Sequence, residues 1–272
     1  MARQYFGTDG IRGRVNTPPM TAESALRLAI AAARTFAPNG GREVVIGRDT
    51  RRSGQMIEAA LIAGLTSMGL KPVLLGIVPT PTVALMTRET GAALGLMVSA
   101  SHNKSDDNGI KLFSPAGIKL TDAEEEALEA AMASAFEGDF APPPAISTPH
   151  HMKGATTLYL ERCLETVGTD IDFSGLKIVL DCAHGAAYEV GPAALRQLGA
   201  DVTIIGDTPD GLNINAGVGS TATGLLKSTV TETGADIGIA FDGDADRVIV
   251  IDELGEEVDG DQVMALIAGE LH

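Results

Sequence analysis

Asp242-Gly243-Asp244-Ala245-Asp246-Arg247 sets three carboxylates at alternate positions directly after the apolar run 237–241. That run reads as a buried strand, which puts the acids in the loop at its carboxyl end, where open α/β sheets take their ligands. Three anionic oxygens without a nearby His or Cys suit a hard dication, Mg²⁺ first among them. An EF-hand opens on the same Asp-x-Asp-x-Asp, but its sixth position needs Gly for the sharp turn and here holds Arg247. Because Mg²⁺ usually shares its shell with a phosphate oxygen, a phosphate partner is expected elsewhere in the chain.

A second cluster, Ser99-Ala-Ser101-His102-Asn103-Lys104 and onward to Asn108-Gly109-Ile-Lys111, leaves another apolar run and becomes a polar turn. Its serine beside a histidine reads, taken alone, first as a turn-stabilising hydroxyl and then as a nucleophile or a phosphate carrier. The Gly-x-Ser-x-Gly elbow of acyl hydrolases is absent. If Ser101 carries a phosphoryl group, a Mg²⁺ on Asp242, Asp244 and Asp246 can take one of its oxygens and neutralise the charge being transferred. Phe6-Gly-Thr-Asp-Gly-Ile-Arg12-Gly13 is a third cluster. It reads as a glycine-rich hairpin whose arginine can hold a phosphate bidentately. The fourth, Arg48-Asp49-Thr50-Arg51-Arg52, reads first as an ion-paired brace and second as an anion site.

The elements that must carry these clusters alternate along the chain. Helices are expected at 21–37, 55–69, 81–89, 121–135, 154–167, 185–198 and 220–233. Strands are expected at 44–47, 72–78, 94–98, 110–113, 177–181, 202–205, 237–241 and 248–251. The fold class is therefore α/β, with two consecutive three-layer α/β/α domains built on mixed, largely parallel sheets. The proline-rich segment 138–149 marks a domain boundary. This gives a Ser101-bearing domain at 1–149, a metal-binding domain at 150–254, and at 255–272 the opening of a third domain that is cut short.

The net charge of −16 argues against nucleic acid or an anionic membrane as partner. Residues 1–119 hold 14 basic and 8 acidic side chains and the remainder 6 and 28, so a basic lobe faces an acidic one. No run of eighteen apolar residues, no secretory leader and only two cysteines fit a cytoplasmic protein with reduced thiols. Nothing selects between a monomer and a homodimer.

The four clusters occur in the order and approximate spacing of the α-D-phosphohexomutases, and the chain resembles most closely their bacterial phosphoglucosamine mutase branch. Asn213-Ile-Asn215-Ala-Gly217 and Val258-Asp-Gly-Asp-Gln262 add to the resemblance. It implies that Ser101 is the phosphoserine and that Asp242, Asp244 and Asp246 hold one Mg²⁺ together with a phosphate oxygen on Ser101. It implies roles near the transferred group for Arg12, His102, Lys111 and Arg247. The implied reaction interconverts glucosamine 6-phosphate and glucosamine 1-phosphate through glucosamine 1,6-bisphosphate, for UDP-N-acetylglucosamine and cell-wall precursor supply. Lys111, beside Mg²⁺ and Arg12, is expected to have a lowered pKa and to serve as general base in preference to His102. Lys104 stands where the family usually has proline. Family members continue through a sugar-recognition and a phosphate-binding domain, so this chain alone is expected to turn over little or no hexosamine phosphate. Alternatives are a phosphomannomutase or phosphoglucomutase, and a non-catalytic Mg²⁺-dependent phosphosugar-binding module.

Overall fold

The structure is a computed structural model, and it describes residues 5–7, 9–168 and 171–270. Thr8 of the N-terminal glycine cluster and the last two residues of the expected third domain lie outside the described residues.

The first half folds as β1 (Phe6–Gly7), β2 (Gly10–Arg14), α1 (Ala22–Phe36), β3 (Glu43–Arg48), α2 (Gly54–Ser67), β4 (Lys71–Ile77), α3 (Thr80–Thr90), β5 (Leu94–Val98), β6 (Asp107–Phe113), α4 (Asp122–Ala133) and β7 (His150–His151). Its strands lie side by side in the order β1-β2-β6-β5-β3-β4-β7. Pairing is parallel through β5, β3, β4 and β7, and antiparallel from β5 through β6 and β2 to β1. One face packs against α1, α2 and α4 through Leu28, Ile57, Leu61 and Leu128, and the other against α3 through Val83 and Met86. Thr21 caps α1 by accepting from Ser24 N at 3.1 Å, while Glu23 turns to Arg27 instead of closing a capping box. Thr121 and Glu124 do form the full box at α4. The α1–α2 crossing is close because α1 turns small alanines inward and α2 meets them with Gly64, whose Cβ would fall 2.5 Å from that of Ala29.

The second half comprises α5 (Ala155–Thr166), β8 (Lys177–Asp181), α6 (Val190–Gln197), β9 (Asp201–Ile205), α7 (Gly224–Thr233), β10 (Ile237–Phe241), β11 (Val248–Ile251), β12 (Glu257–Val258) and α8 (Gly260–Glu270). Its sheet runs β12-β11-β10-β8-β9, parallel at β10-β8-β9 and antiparallel beyond. Leu226 and Val230 of α7 cover one face, and Gly191 of α6 lies against Phe241 and Leu180 on the other.

The strands β5, β8, β10 and β11 have the expected extents. Two helices do not. The helix expected at 185–198 begins only at Val190, because Ala183 and His184 take left-handed backbone (φ 56° and 48°) in a loop that reaches the other domain. The helix expected at 220–233 begins at Gly224, because the preceding turn caps β10: Ser220 N donates to Phe241 O at 2.9 Å. The first sheet also extends past residue 149, since β7 pairs in parallel with β4.

Candidate functional site

The loops after β3, β4, β5, β8 and β10 meet in one seam, where Thr50 bonds His184, Thr80 bonds Asp244 and Ser101 bonds Asp242. The Ser101 hydroxyl, just past β5, donates to Asp242 Oδ2, just past β10, at 2.5 Å. Arg247 Nη2 donates to the same hydroxyl oxygen at 3.1 Å, and His102 Nδ1 lies 3.4 Å from it. Ser101 is fully buried and has φ 53°, a left-handed conformation that a non-glycine residue holds only when its surroundings impose it.

That imposition comes from the Arg48–Arg52 cluster. Arg51 is fully buried, and its guanidinium donates to the carbonyls of Ser101 (2.8 Å), Asn103 (2.8 Å), Asp107 (3.1 Å) and Lys104. Asp49 fixes Arg51 Nε at 2.8 Å and accepts from Ser99 Oγ at 2.7 Å, while Ser99 Oγ accepts from Ser101 N at 2.9 Å. A charge-paired guanidinium thus moulds the serine turn from inside, and Arg51 is a brace. Lys104 contributes its carbonyl to that brace.

Lys111 comes to the seam from the middle of β6, where it lies opposite Met97 of β5. Its Nζ donates to Asp244 Oδ2 at 2.8 Å and Asp246 Oδ2 at 2.7 Å, with Asp9 Oδ2 3.4 Å away. Arg12, on β2 opposite Gly109, pairs with Asp9, and its buried Nε has no hydrogen-bond partner among the described residues. The structure thus brings Arg12, Ser101, His102, Lys111, Asp242, Asp244, Asp246 and Arg247 to one place.

The electrostatics of the site turn on Lys111 and the carboxylates it faces. Burial works to lower the Lys111 pKa, but Asp244 and Asp246 outweigh it, and the ammonium is held above its ordinary value. That is the balance with Asp244 and Asp246 turned to Lys111; the expected lowering refers to a lysine beside bound Mg²⁺, which would take up the charge of the same carboxylates. For Asp244 burial works upward, yet the Lys111 ammonium and the Thr80 hydroxyl bring it below the usual carboxylate value. Burial first, then Asp244, push Asp242 up to about 7. Burial, then Arg247 and Arg12, lower His102 below its ordinary value, against Asp244 and Asp246, which favours the neutral imidazole.

The acidic loop fits a dication. Asp242, Asp244 and Asp246 offer ligand oxygens within 4.8 Å of one another, and Asp244 Oδ1 is buried with no hydrogen-bond partner among the described residues. An all-carboxylate set of this kind favours hard ions such as Mg²⁺. The position between Asp244 and Asp246 already attracts a cation, the Lys111 ammonium.

Residues 3–139 match the family model for phosphoglucomutase/phosphomannomutase α/β/α domain I, and residues 157–255 match that for α/β/α domain II. The chain belongs to the phosphoglucomutase/phosphomannomutase family. A phosphoglucosamine mutase of Hyphomonas neptunium is 73% identical over 272 residues, which are all of this chain and 61% of that protein. One from Caulobacter vibrioides is 53% identical, covering 99% of this chain and 61% of its own length. A phosphoglucomutase/phosphomannomutase family protein of Burkholderia thailandensis, solved by crystallography, superposes with a TM-score of 0.82 at 27% identity. It aligns with 96% of this chain, which covers 57% of it. The chain thus spans about three fifths of the length of the curated relatives it matches. It carries the family's α/β fold with mixed sheets.

Within this phosphohexomutase frame two seam residues escape a reading of the sequence. Thr80, at the start of α3, donates its hydroxyl to Asp244 Oδ2 at 2.6 Å and its amide to Asp244 O at 2.9 Å. Asn215 donates Nδ2 to the carbonyls of Ser101 and Asn103, both at 2.9 Å. For Thr80 the available signal is its place after the apolar run of β4. For Asn215 it is the Asn213–Gly217 motif.

Proposed function

We propose that the chain carries the phosphoserine and metal half of a phosphoglucosamine mutase, acting on hexosamine phosphates in the cytoplasm. The observation that carries this reading is the 2.5 Å contact between Ser101 Oγ and Asp242 Oδ2, which joins the reacting hydroxyl to the acidic loop. The identity to curated phosphoglucosamine mutases supports the choice of sugar. No helix among the described residues is long and apolar enough to cross a membrane.

In this proposal Ser101 bears the phosphoryl group, and a sugar hydroxyl oxygen attacks phosphorus in line with the bond to Ser101 Oγ. The P–Oγ bond breaks as the new P–O bond forms, giving glucosamine 1,6-bisphosphate, and the reverse transfer of its other phosphate re-forms phosphoserine. Such a loose transition state needs alignment and charge neutralisation more than covalent chemistry. Asp242, Asp244 and Asp246 would hold Mg²⁺, which when bound neutralises charge on the transferred phosphoryl oxygens. Arg247 steadies the leaving Ser101 oxygen, and Arg12 offers a planar fork to a phosphate. His102, lowered by burial, Arg247 and Arg12, and Lys111, once Mg²⁺ takes Asp244 and Asp246 from it, are the two groups suited to take the sugar hydroxyl's proton.

Incubation with glucosamine 1,6-bisphosphate and Mg²⁺ should add one phosphate, about 80 Da by intact mass, to the chain but not to Ser101→Ala. Parallel incubations with glucose and mannose 1,6-bisphosphates test the sugar. Faster labelling by either would move the assignment to a phosphoglucomutase or phosphomannomutase, and no labelling by any of the three would overturn phosphoryl transfer.

A further inference from the structure

Two carbonyl oxygens in the serine turn are each gripped twice, once from each domain. Ser101 O accepts from Arg51 Nη2 at 2.8 Å and Asn215 Nδ2 at 2.9 Å, and Asn103 O accepts from the same two atoms at 2.8 and 2.9 Å. The Arg51 grip belongs to the domain that carries Ser101. The Asn215 grip comes from the domain that carries the acidic loop, and it lies against that loop. A Cβ on Gly243, the residue after Asp242, would fall 2.6 Å from Ser101 O and 2.8 Å from Asn215 Nδ2.

Asn215 is built for this contact. It is 5% exposed and holds left-handed backbone at φ 56°, a conformation that asparagine tolerates better than most side chains. Its own amide N–H donates to Ala183 O at 2.9 Å. Side-chain Oδ1 has no hydrogen-bond partner among the described residues, so the amide group is committed to its donor side. Turned over, it would present an oxygen to two carbonyl oxygens, and the contact has one workable orientation.

Resting on the phosphoserine reading above, we infer that Asn215 is a positioning residue that sets where the Ser101 oxygen stands relative to the acidic loop. Its side-chain donors go to the carbonyls of Ser101 and Asn103 and, among the described residues, to none of the three carboxylates. It acts through the peptide carbonyls on either side of His102, and so through the left-handed turn that aims Ser101 Oγ at Asp242. In-line transfer is sensitive to displacements of about 1 Å, so loss of the contact slows transfer while leaving the carboxylate cluster whole.

The test compares the chain with Asn215→Gly, which keeps the left-handed backbone and removes the amide, and Asn215→Asp, which keeps shape and replaces the donors with an acceptor. Three quantities are read: Mg²⁺ affinity of the unphosphorylated chain by calorimetry, and the rate and half-saturating concentration of glucosamine 1,6-bisphosphate in labelling Ser101. The expected result is a labelling rate reduced about tenfold or more in both variants, with Mg²⁺ affinity and half-saturation within about twofold of the parent. Equal labelling rates would overturn the inference, as would a parallel fall in all three quantities or the failure of both variants to fold. Absence of labelling in the parent chain would instead strike the phosphoserine reading itself.

Discussion

Lys111 Nζ stands 2.8 Å from Asp244 Oδ2, so a lysine from the first domain holds one of the three carboxylates assigned to a metal in the second. Asp246 shares that ammonium at 2.7 Å. A dication bound by the three carboxylates must compete with this buried charge-assisted pair. Lys111→Met is therefore expected to tighten Mg²⁺ binding to the unphosphorylated chain by about tenfold, the equivalent of losing one such hydrogen bond at ~1.5 kcal/mol. Calorimetry with Mg²⁺ checks it, and weaker binding in the variant would show that the lysine assists the site instead.

A pH dependence follows from Asp242. Burial and the neighbouring Asp244 raise its carboxyl to about 7, so below that pH the metal-free loop holds a proton that Mg²⁺ must expel. Affinity should fall as pH drops through 7, by up to about tenfold per unit, and level off above it. Titrations in two buffers of different ionisation enthalpy should report release of nearly one proton around pH 6 and little around pH 8. Equal proton release at both would contradict the raised carboxyl.

Arg51 is completely buried, and its guanidinium reaches four carbonyls and Asp49. Arg51→Met strips buried Asp49 of its counter-charge and the four carbonyls of their donor, a loss expected to cost about 3–5 kcal/mol. Arg51→Lys should recover only part of this, because an ammonium cannot match the planar fork. Urea unfolding of the two variants and the parent decides the matter. Equal midpoints for Arg51→Lys and the parent would show that charge alone suffices.

Gly243 lets the two domains touch at the site. In Gly243→Ala the new methyl would meet Ser101 O at 2.6 Å, backbone that cannot move without carrying the Ser101 hydroxyl with it. Stability should fall by about 1–3 kcal/mol and Ser101 labelling with it. Gly224→Ala is the control: it has open space around its Cβ at the start of α7 and should be neutral or stabilising by up to about 1 kcal/mol. Equal behaviour of the two variants would mean that the seam is looser than its distances imply.

The site's acidic loop and serine were legible in the sequence because each is a local pattern at the end of an apolar run. Those runs, β5 and β10, have the expected extents for the same reason: periodicity and flanking turns are local signals. Other features depend on distant partners. The helix expected from residue 185 starts late, at Val190, after a turn whose His184 O accepts from Thr50 Oγ1 at 2.6 Å across the seam. Arg51 and Asn215 act on backbone carbonyls, which every residue possesses, so no residue type marks their targets. The direct pairing of Lys111 with Asp244 and Asp246, more than a hundred positions away, carries no local signal either. That contact outweighs the desolvation that would lower the lysine's pKa.

The central claim is that Ser101 and the three aspartates serve a single ion. Mg²⁺ affinity measured by calorimetry before and after phosphorylation of Ser101 tests it most directly. Binding should tighten about tenfold or more once the phosphate adds an anionic ligand beside Asp242. Identical affinities for the two forms would mean that hydroxyl and carboxylates, although in contact, do not share a metal.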